Sequence, residues 1–205
     1  MDLNLELKKI ISNIDINNKP NLFLHSCCGP CSTVVLKRLV NYFNIYIVFY
    51  NSNIDTKEEY DRRLLQLKNF IDMNKYNIKI IYNDYNHNEF LEKAYIYKSE
   101  KEGGKRCEIC FRLRIKKSYD IAREYIKNNN LTNDKNYLCS TLSVSPHKNS
   151  ILINNIGNEI CNDTDLEFLP NDFKKENGYL ESVKLSKEFN LYRQDYCGCE
   201  FAKNV

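Results

Sequence analysis

Seven of the nine cysteines in this 205-residue chain fall into three tight groups: Cys27-Cys28-Gly29-Pro30-Cys31, Cys107-Glu108-Ile109-Cys110 and Cys197-Gly198-Cys199. Any fold for this chain must make use of thiols drawn from its beginning, middle and end. The stretch that opens at Met1-Asp2-Leu3-Asn4 has no basic segment followed by an apolar one, and the longest strongly apolar run is Ile45 to Tyr50. That run is far short of the ~20 residues a membrane span needs, so neither a signal peptide nor a membrane association is expected. A cytoplasmic setting keeps ordinary thiols reduced, which turns grouped cysteines toward metal or redox chemistry and away from a disulfide framework.

The length suits one well-buried core, and a single α/β catalytic domain over residues 1–205 is expected. With 30 basic and 27 acidic residues and a net charge of +3, the overall balance does not by itself announce a nucleic-acid binder. Local clustering matters more. Lys98 to Arg106, then Arg112, Arg114, Lys116 and Lys117, surround the second cysteine pair with positive charge; the plain alternative is a solvated helix face.

Along the chain, Asn21-Leu22-Phe23-Leu24-His25-Ser26 reads as a strand, the first cysteine group as a tight turn, and Val35, Leu39 and Tyr42 as one face of a helix. A second strand over residues 45–50 leads to Thr56-Lys57-Glu58-Glu59, a capping box that opens a helix carrying Tyr60, Leu64, Leu67 and Ile71. The alternation continues with a strand over 77–82, a short helix over 88–95, a Gly103-Gly104 loop, a long helix after Cys107 and a strand over 137–140. Short helices are expected near 172–176 and 182–189 in a less regular last third. Such alternation predicts a parallel sheet with helices on both faces. The loops after the strands then share one edge, which brings the first cysteine group, residues 51–55, 84–87 and 141–148 to a common crevice.

Cys28 and Cys31, like Cys107 and Cys110, are three apart at predicted helix starts, so each pair lies on one face where the positive helix end favours thiolate. In Cys197-Gly198-Cys199 the glycine lets the backbone fold closely around a ligand. A zinc site or an iron-sulfur cubane would each take four sulfurs and leave three of the seven for a second centre or a reactive thiol. Cys28-Gly29-Pro30-Cys31 also spells a thioredoxin-like redox pair. A dithiol oxidoreductase and a noncatalytic zinc module that binds RNA therefore stand as alternatives. Cys139 and Cys161 read as structural. So do His87 and His147, while His25, beside the first group, stays open as a ligand.

Six segments taken together carry a more specific resemblance: Leu24 to Ser32; Tyr50 to Ile54 with Glu59, Tyr60 and Arg63; Arg106-Cys107-Glu108-Ile109-Cys110-Phe111-Arg112-Leu113-Arg114; Ser140 to Lys148; Asp172-Phe173-Lys174-Lys175; and Tyr192-Arg193-Gln194-Asp195-Tyr196-Cys197-Gly198-Cys199. Spanning residues 22–199, they resemble the QueH family of epoxyqueuosine reductases. The resemblance implies reductive removal of the epoxide oxygen of epoxyqueuosine in tRNA, giving queuosine in the last step of that modification. It also implies an adenine nucleotide α-hydrolase-like (HUP) fold and a C-terminal segment that carries metal ligands. A [4Fe-4S] cluster would lie beside an additional mononuclear iron, and an external low-potential electron donor would feed them.

On this basis Cys27, Cys28, Cys31, Cys107, Cys110, Cys197, Cys199 and Asp172 are the expected metal ligands, with Asp84 second to Asp172 as the carboxylate. Asp172, Tyr192 and Tyr196 are catalytic candidates, the tyrosines as proton donors or else as core or stacking residues. Asn51, Asn53, Thr141, Ser145, Lys148, Arg193 and Gln194 are expected around the modified base and its phosphates, with Arg112 and Arg114 on the tRNA backbone. The chain departs from the family pattern at Ser52, where proline is frequent, and at Asn86, where the family has aspartate.

Overall fold

The computed structural model describes residues 2–131 and 134–202. The run at 21–25 forms β1 (Asn21–His25), buried along its whole length and paired in parallel with β2 (Asn44–Phe49) on one side and β4 (Asn136–Ser140) on the other. β3 (Lys79–Tyr82) and β5 (Leu166–Phe168) complete an all-parallel sheet in the order β3-β2-β1-β4-β5. A parallel sheet covered on both faces demands near-continuous apolar strands, which Leu22-Phe23-Leu24 and Ile47-Val48-Phe49 supply.

α2 (Gly29–Leu39), α3 (Lys57–Met73) and α7 (Gly178–Glu188) pack with Leu22, Leu24 and Ile47 on one face of the sheet. α5 (Lys105–Asn128) and α6 (Ser150–Cys161) pack with Phe23, Val48 and Leu138 on the other. α1 (Leu3–Ser12) adds Leu7 to the first layer, and α4 (Asn88–Ala94) lies against α5. The expected α/β architecture with helices on both faces is the observed one, of Rossmann or HUP type. The strand order brings β1 next to β4, so the chain diverges at their carboxyl ends and opens a crevice where such sheets bind ligands.

Some local expectations are corrected. Thr56 caps α3 by accepting from the Glu59 N–H at 3.2 Å, but the Glu59 carboxylate turns to Arg63 Nε at 2.6 Å, because a buried guanidinium is a stronger partner than an exposed backbone amide. Residues 173–177 are turns rather than a helix; positive φ at Glu176 and Asn177 delays the helix to Gly178. α1, α6 and β5 are elements that the sequence pattern alone does not predict. β5 is only three residues long, and the Asn-rich α6 uses Gly157 for close approach, where an added Cβ would fall 2.4 Å from the Phe168 ring.

Candidate active site

The first cysteine group sits at the β1–α2 turn. Cys28 is the N-cap of α2, and its sulfur accepts from the Cys31 N–H at 3.4 Å, with Pro30 in the first turn. Cys27 and Cys28 sulfurs are 3.7 Å apart, and the three sulfurs of Cys27, Cys28 and Cys31 all lie within 4.8 Å of one another. A tetrahedral ion with metal–sulfur bonds of ~2.3 Å holds sulfurs roughly 3.8 Å apart, so this triad has the spacing for one ion. Thr141, at the end of β4, fixes it: its hydroxyl oxygen accepts from the Cys27 N–H at 3.1 Å and its hydroxyl proton points to the Cys27 sulfur at 3.4 Å. Hydrogen bonding from the Cys28 and Cys31 thiols, helped by the charges of Arg114 and Lys148, holds the Cys27 thiol well below its ordinary range. Cys28 is pushed up to about 11 chiefly by that same neighbour, and Cys31 is raised for the same reason. The triad therefore favours the thiolate on Cys27 over its two neighbours.

The second group joins the first turn of α5 to the C-terminal segment. Cys107, Cys110, Cys197 and Cys199 line one small cavity of about 20 Å³ together with Asn53, Glu102, Arg106, Arg114, His147 and Lys148. Among the described residues no three of these four sulfurs lie within 4.8 Å of one another. That is too open for a single tetrahedral ion and agrees with the wider sulfur spacing around a polynuclear cluster. The Cys199 thiol lowers Cys197 to about 6, and Cys199 is raised in return; burial pushes Cys110 up to about 11 against the pull of Arg114. The Gly103 N–H donates to Cys107 Sγ at 3.2 Å. The C-terminal turn is held from α3 and the loop after β2: Arg63 Nη1 and Asn53 Nδ2 each donate to the Cys197 carbonyl at 3.1 Å. Gly198 has φ +100°, and a Cβ there would meet Ile54 at 3.0 Å and Arg63 at 3.1 Å, so glycine is required.

A larger open cavity of about 630 Å³ adjoins both groups. Its lining includes Cys27, Cys31, Cys197, Arg63, Arg114 and Lys148, with Arg193, Gln194 and Tyr196 from the C-terminal segment. The expected contact residues divide between this cavity and the protein behind it. Ser145, Lys148, Arg193 and Gln194 line it, and Arg193 also stacks over Tyr179 at 5.3 Å. Asn51 and Thr141 are buried and engaged: Asn51 Nδ2 donates to the Ser26 carbonyl at 2.9 Å, and its Oδ1 accepts from Arg114 Nη2 at 2.5 Å. Asn53 supports Cys197 instead of facing the large cavity. Arg112 is on the outer face of α5, paired with Glu159 at 2.7 Å, whereas Arg114 is 3% exposed and lines both cavities.

Tyr196 lines the large cavity and donates to Asp55 at 3.0 Å, while Tyr192 lies against Arg62 and Glu59 and is not part of the lining. Asp172 is also outside both linings, its carboxylate 2.8 Å from Lys174 Nζ, and Asp84 is exposed. The carboxylates that do line the large cavity are Glu102 and Asp195. His25 is structural: fully buried, it bridges Ser140 Oγ at 2.8 Å and the Tyr50 carbonyl at 3.2 Å, and burial lowers it to about 3, so it is neutral. His147, read from the sequence as structural, faces both cavities. Only its place in the loop after β4 could have signalled that.

A family model described as epoxyqueuosine reductase QueH matches residues 22–205. A protein of Staphylococcus aureus (strain Mu50) with that name is 39% identical over 96% of this chain and 81% of its own length. Its namesake in Streptococcus pyogenes serotype M1 is 34% identical over 98% of this chain and 85% of its own length. A third, from Thermotoga maritima, is 33% identical over 88% and 89% respectively.

Proposed function

The chain belongs to the epoxyqueuosine reductase family QueH, and from that premise we propose that it works through two thiol-bound metal centres: a [4Fe-4S] cluster on Cys107, Cys110, Cys197 and Cys199, and a single iron on Cys27, Cys28 and Cys31. Its function is reductive removal of the epoxide oxygen of epoxyqueuosine to give queuosine. In that reaction both C–O bonds break, a C=C bond forms, and the oxygen leaves as water after uptake of two electrons and two protons. When bound, such centres supply one-electron transfer and Lewis-acid activation of the oxygen.

The observation that carries the reading is the sorting of seven thiols into a close triad and an open quartet, next to one cavity. The donor set fits: soft thiolates suit iron-sulfur chemistry, and the quartet cavity holds buried guanidinium groups that call for an anionic guest. The cavity of about 630 Å³ has the size of a site for one modified nucleoside. A wobble nucleoside would leave the anticodon stack to enter it, with Arg193, Gln194, Ser145 and Lys148 as its polar contacts. Tyr196 and His147 are among the lining groups able to deliver protons, together with Tyr179 and Lys148. Asp172 would have to leave Lys174 to serve as a ligand, whereas Glu102 and Asp195 already share the cavity with Cys27 and Cys31. Electrons come from an external low-potential donor.

The test is anaerobically purified protein incubated with tRNA that carries epoxyqueuosine and a low-potential reductant, followed by mass analysis of the released nucleosides. Loss of one oxygen from the modified nucleoside is expected. No conversion by metal-loaded protein would overturn the reading.

A further inference from the structure

Arg106 and Arg114 are one part of the site that ligand counting leaves unused. They are 1% and 3% exposed. Guanidinium is always charged at ordinary pH, and burying such a charge is costly without an anion to face it. The third buried arginine, Arg63, meets Glu59 at 2.6 Å, and the more exposed Arg38, Arg112 and Arg123 also reach carboxylates. Among the described residues Arg106 and Arg114 have no such partner. Arg106 spends Nη1 on the carbonyls of Lys98 and Glu100 and leaves Nε and Nη2 without an acceptor; Arg114 leaves Nε without one. Both side chains line the quartet cavity.

Arg114 occupies the more telling place. It lies one helical turn after Cys110, with Nη1 4.0 Å from that sulfur, and Nη2 donates to Asn51 Oδ1 at 2.5 Å. Asn51 in turn donates to the Ser26 carbonyl, the residue before Cys27. One guanidinium is thereby tied to both thiol groups, and its charge acts on Cys27 and Cys110 alike.

We propose that Arg114 is a positioning residue for the reaction, the fixed positive charge between the quartet and the triad that stabilises the electron-rich state of the bound centres, with Arg106 as a second buried charge on the quartet cavity. The inference rests on the iron-sulfur reading above. Reduction adds negative charge, so a buried cation nearby makes it more favourable, and removing that cation makes the couple harder to reduce.

The test is an EPR-monitored redox titration at neutral pH of the anaerobically purified protein and of Arg114→Gln and Arg114→Lys, with iron and labile sulfide measured on each sample. Arg114→Gln, which removes the charge and keeps a polar side chain, should shift the one-electron reduction equilibrium at least about tenfold toward the oxidised state, ~59 mV to lower potential. Arg114→Lys should recover at least half of that shift. An unchanged potential in Arg114→Gln with metal retained would overturn the proposal, and so would equal shifts in both variants, which would assign the effect to the shape of the fork and not to its charge. If Arg114→Gln loses its metal, retention by Arg114→Lys supports the proposal and loss by both overturns it. Absence of iron and sulfide from the unsubstituted protein would overturn the cofactor reading itself and this inference with it.

Discussion

The triad and the quartet are built by different means. Cys27, Cys28 and Cys31 come from one turn of chain, and their spacing is set by the strand-to-helix junction, the Cys28 cap and the Thr141 clamp. Cys107 and Cys110 meet Cys197 and Cys199 through tertiary contacts: α3 and the loop after β2 grip the C-terminal turn through Arg63 and Asn53, and Phe90 packs with Cys110 and Cys199. The triad satisfies itself with thiol hydrogen bonds, whereas the quartet is faced by guanidinium groups that lack an anion. A locally built site can stand half-satisfied without a guest; a site assembled by tertiary contacts advertises its guest through the charges left over.

Substituting one ligand from each group tests that contrast most severely. Cys110→Ala should lose roughly four irons with their sulfide and the visible absorbance, whereas Cys31→Ala should lose about one iron and keep the sulfide; turnover should fall to background in both. Sulfide loss from Cys31→Ala would show that the two groups do not divide this way. Gly198→Ala comes next. Forcing a side chain into φ +100° against Ile54 and Arg63 should cost about 1–3 kcal/mol, seen as a lower melting temperature, and should deplete quartet metal more than triad metal. A melting curve that overlays the parent would count against the strained turn.

Thr141→Val reaches only the triad. It removes the acceptor for the buried Cys27 N–H, at a cost of about 1–3 kcal/mol in stability, and should weaken retention of the single iron while sulfide content holds. Equal loss of sulfide would mean that the triad and quartet are not separable. The smallest effect is expected of Arg193→Ala, at the cavity wall: roughly tenfold slower turnover on tRNA, with a shallower salt dependence and unchanged iron. Iron loss in that variant would make the arginine structural.

The sheet was legible where its strands are long and apolar, as in Leu22-Phe23-Leu24 and Ile45 to Phe49, because period and length leave little else for such runs to be. β5 was not legible, since three residues carry no period, and the place of β1 beside β4 is a tertiary fact absent from any local window. The cysteine pairs do stand in the first turns of α2 and α5, although α5 opens at Lys105 and not after Cys107. What they could not give is direction. Arg112 and Arg114 are two apart on one helix, yet one meets Glu159 at the surface and the other faces the thiols, and only the packing of α5 decides which. Asn51 likewise carries no local sign that its two amide functions are bound to Ser26 and Arg114.

Anaerobic purification followed by iron, zinc and acid-labile sulfide analysis bears most directly on the two-centre account. About five irons with about four sulfides per chain is the predicted result. About one zinc and no sulfide would contradict it, leaving the quartet and its buried arginines without the anionic guest their arrangement calls for.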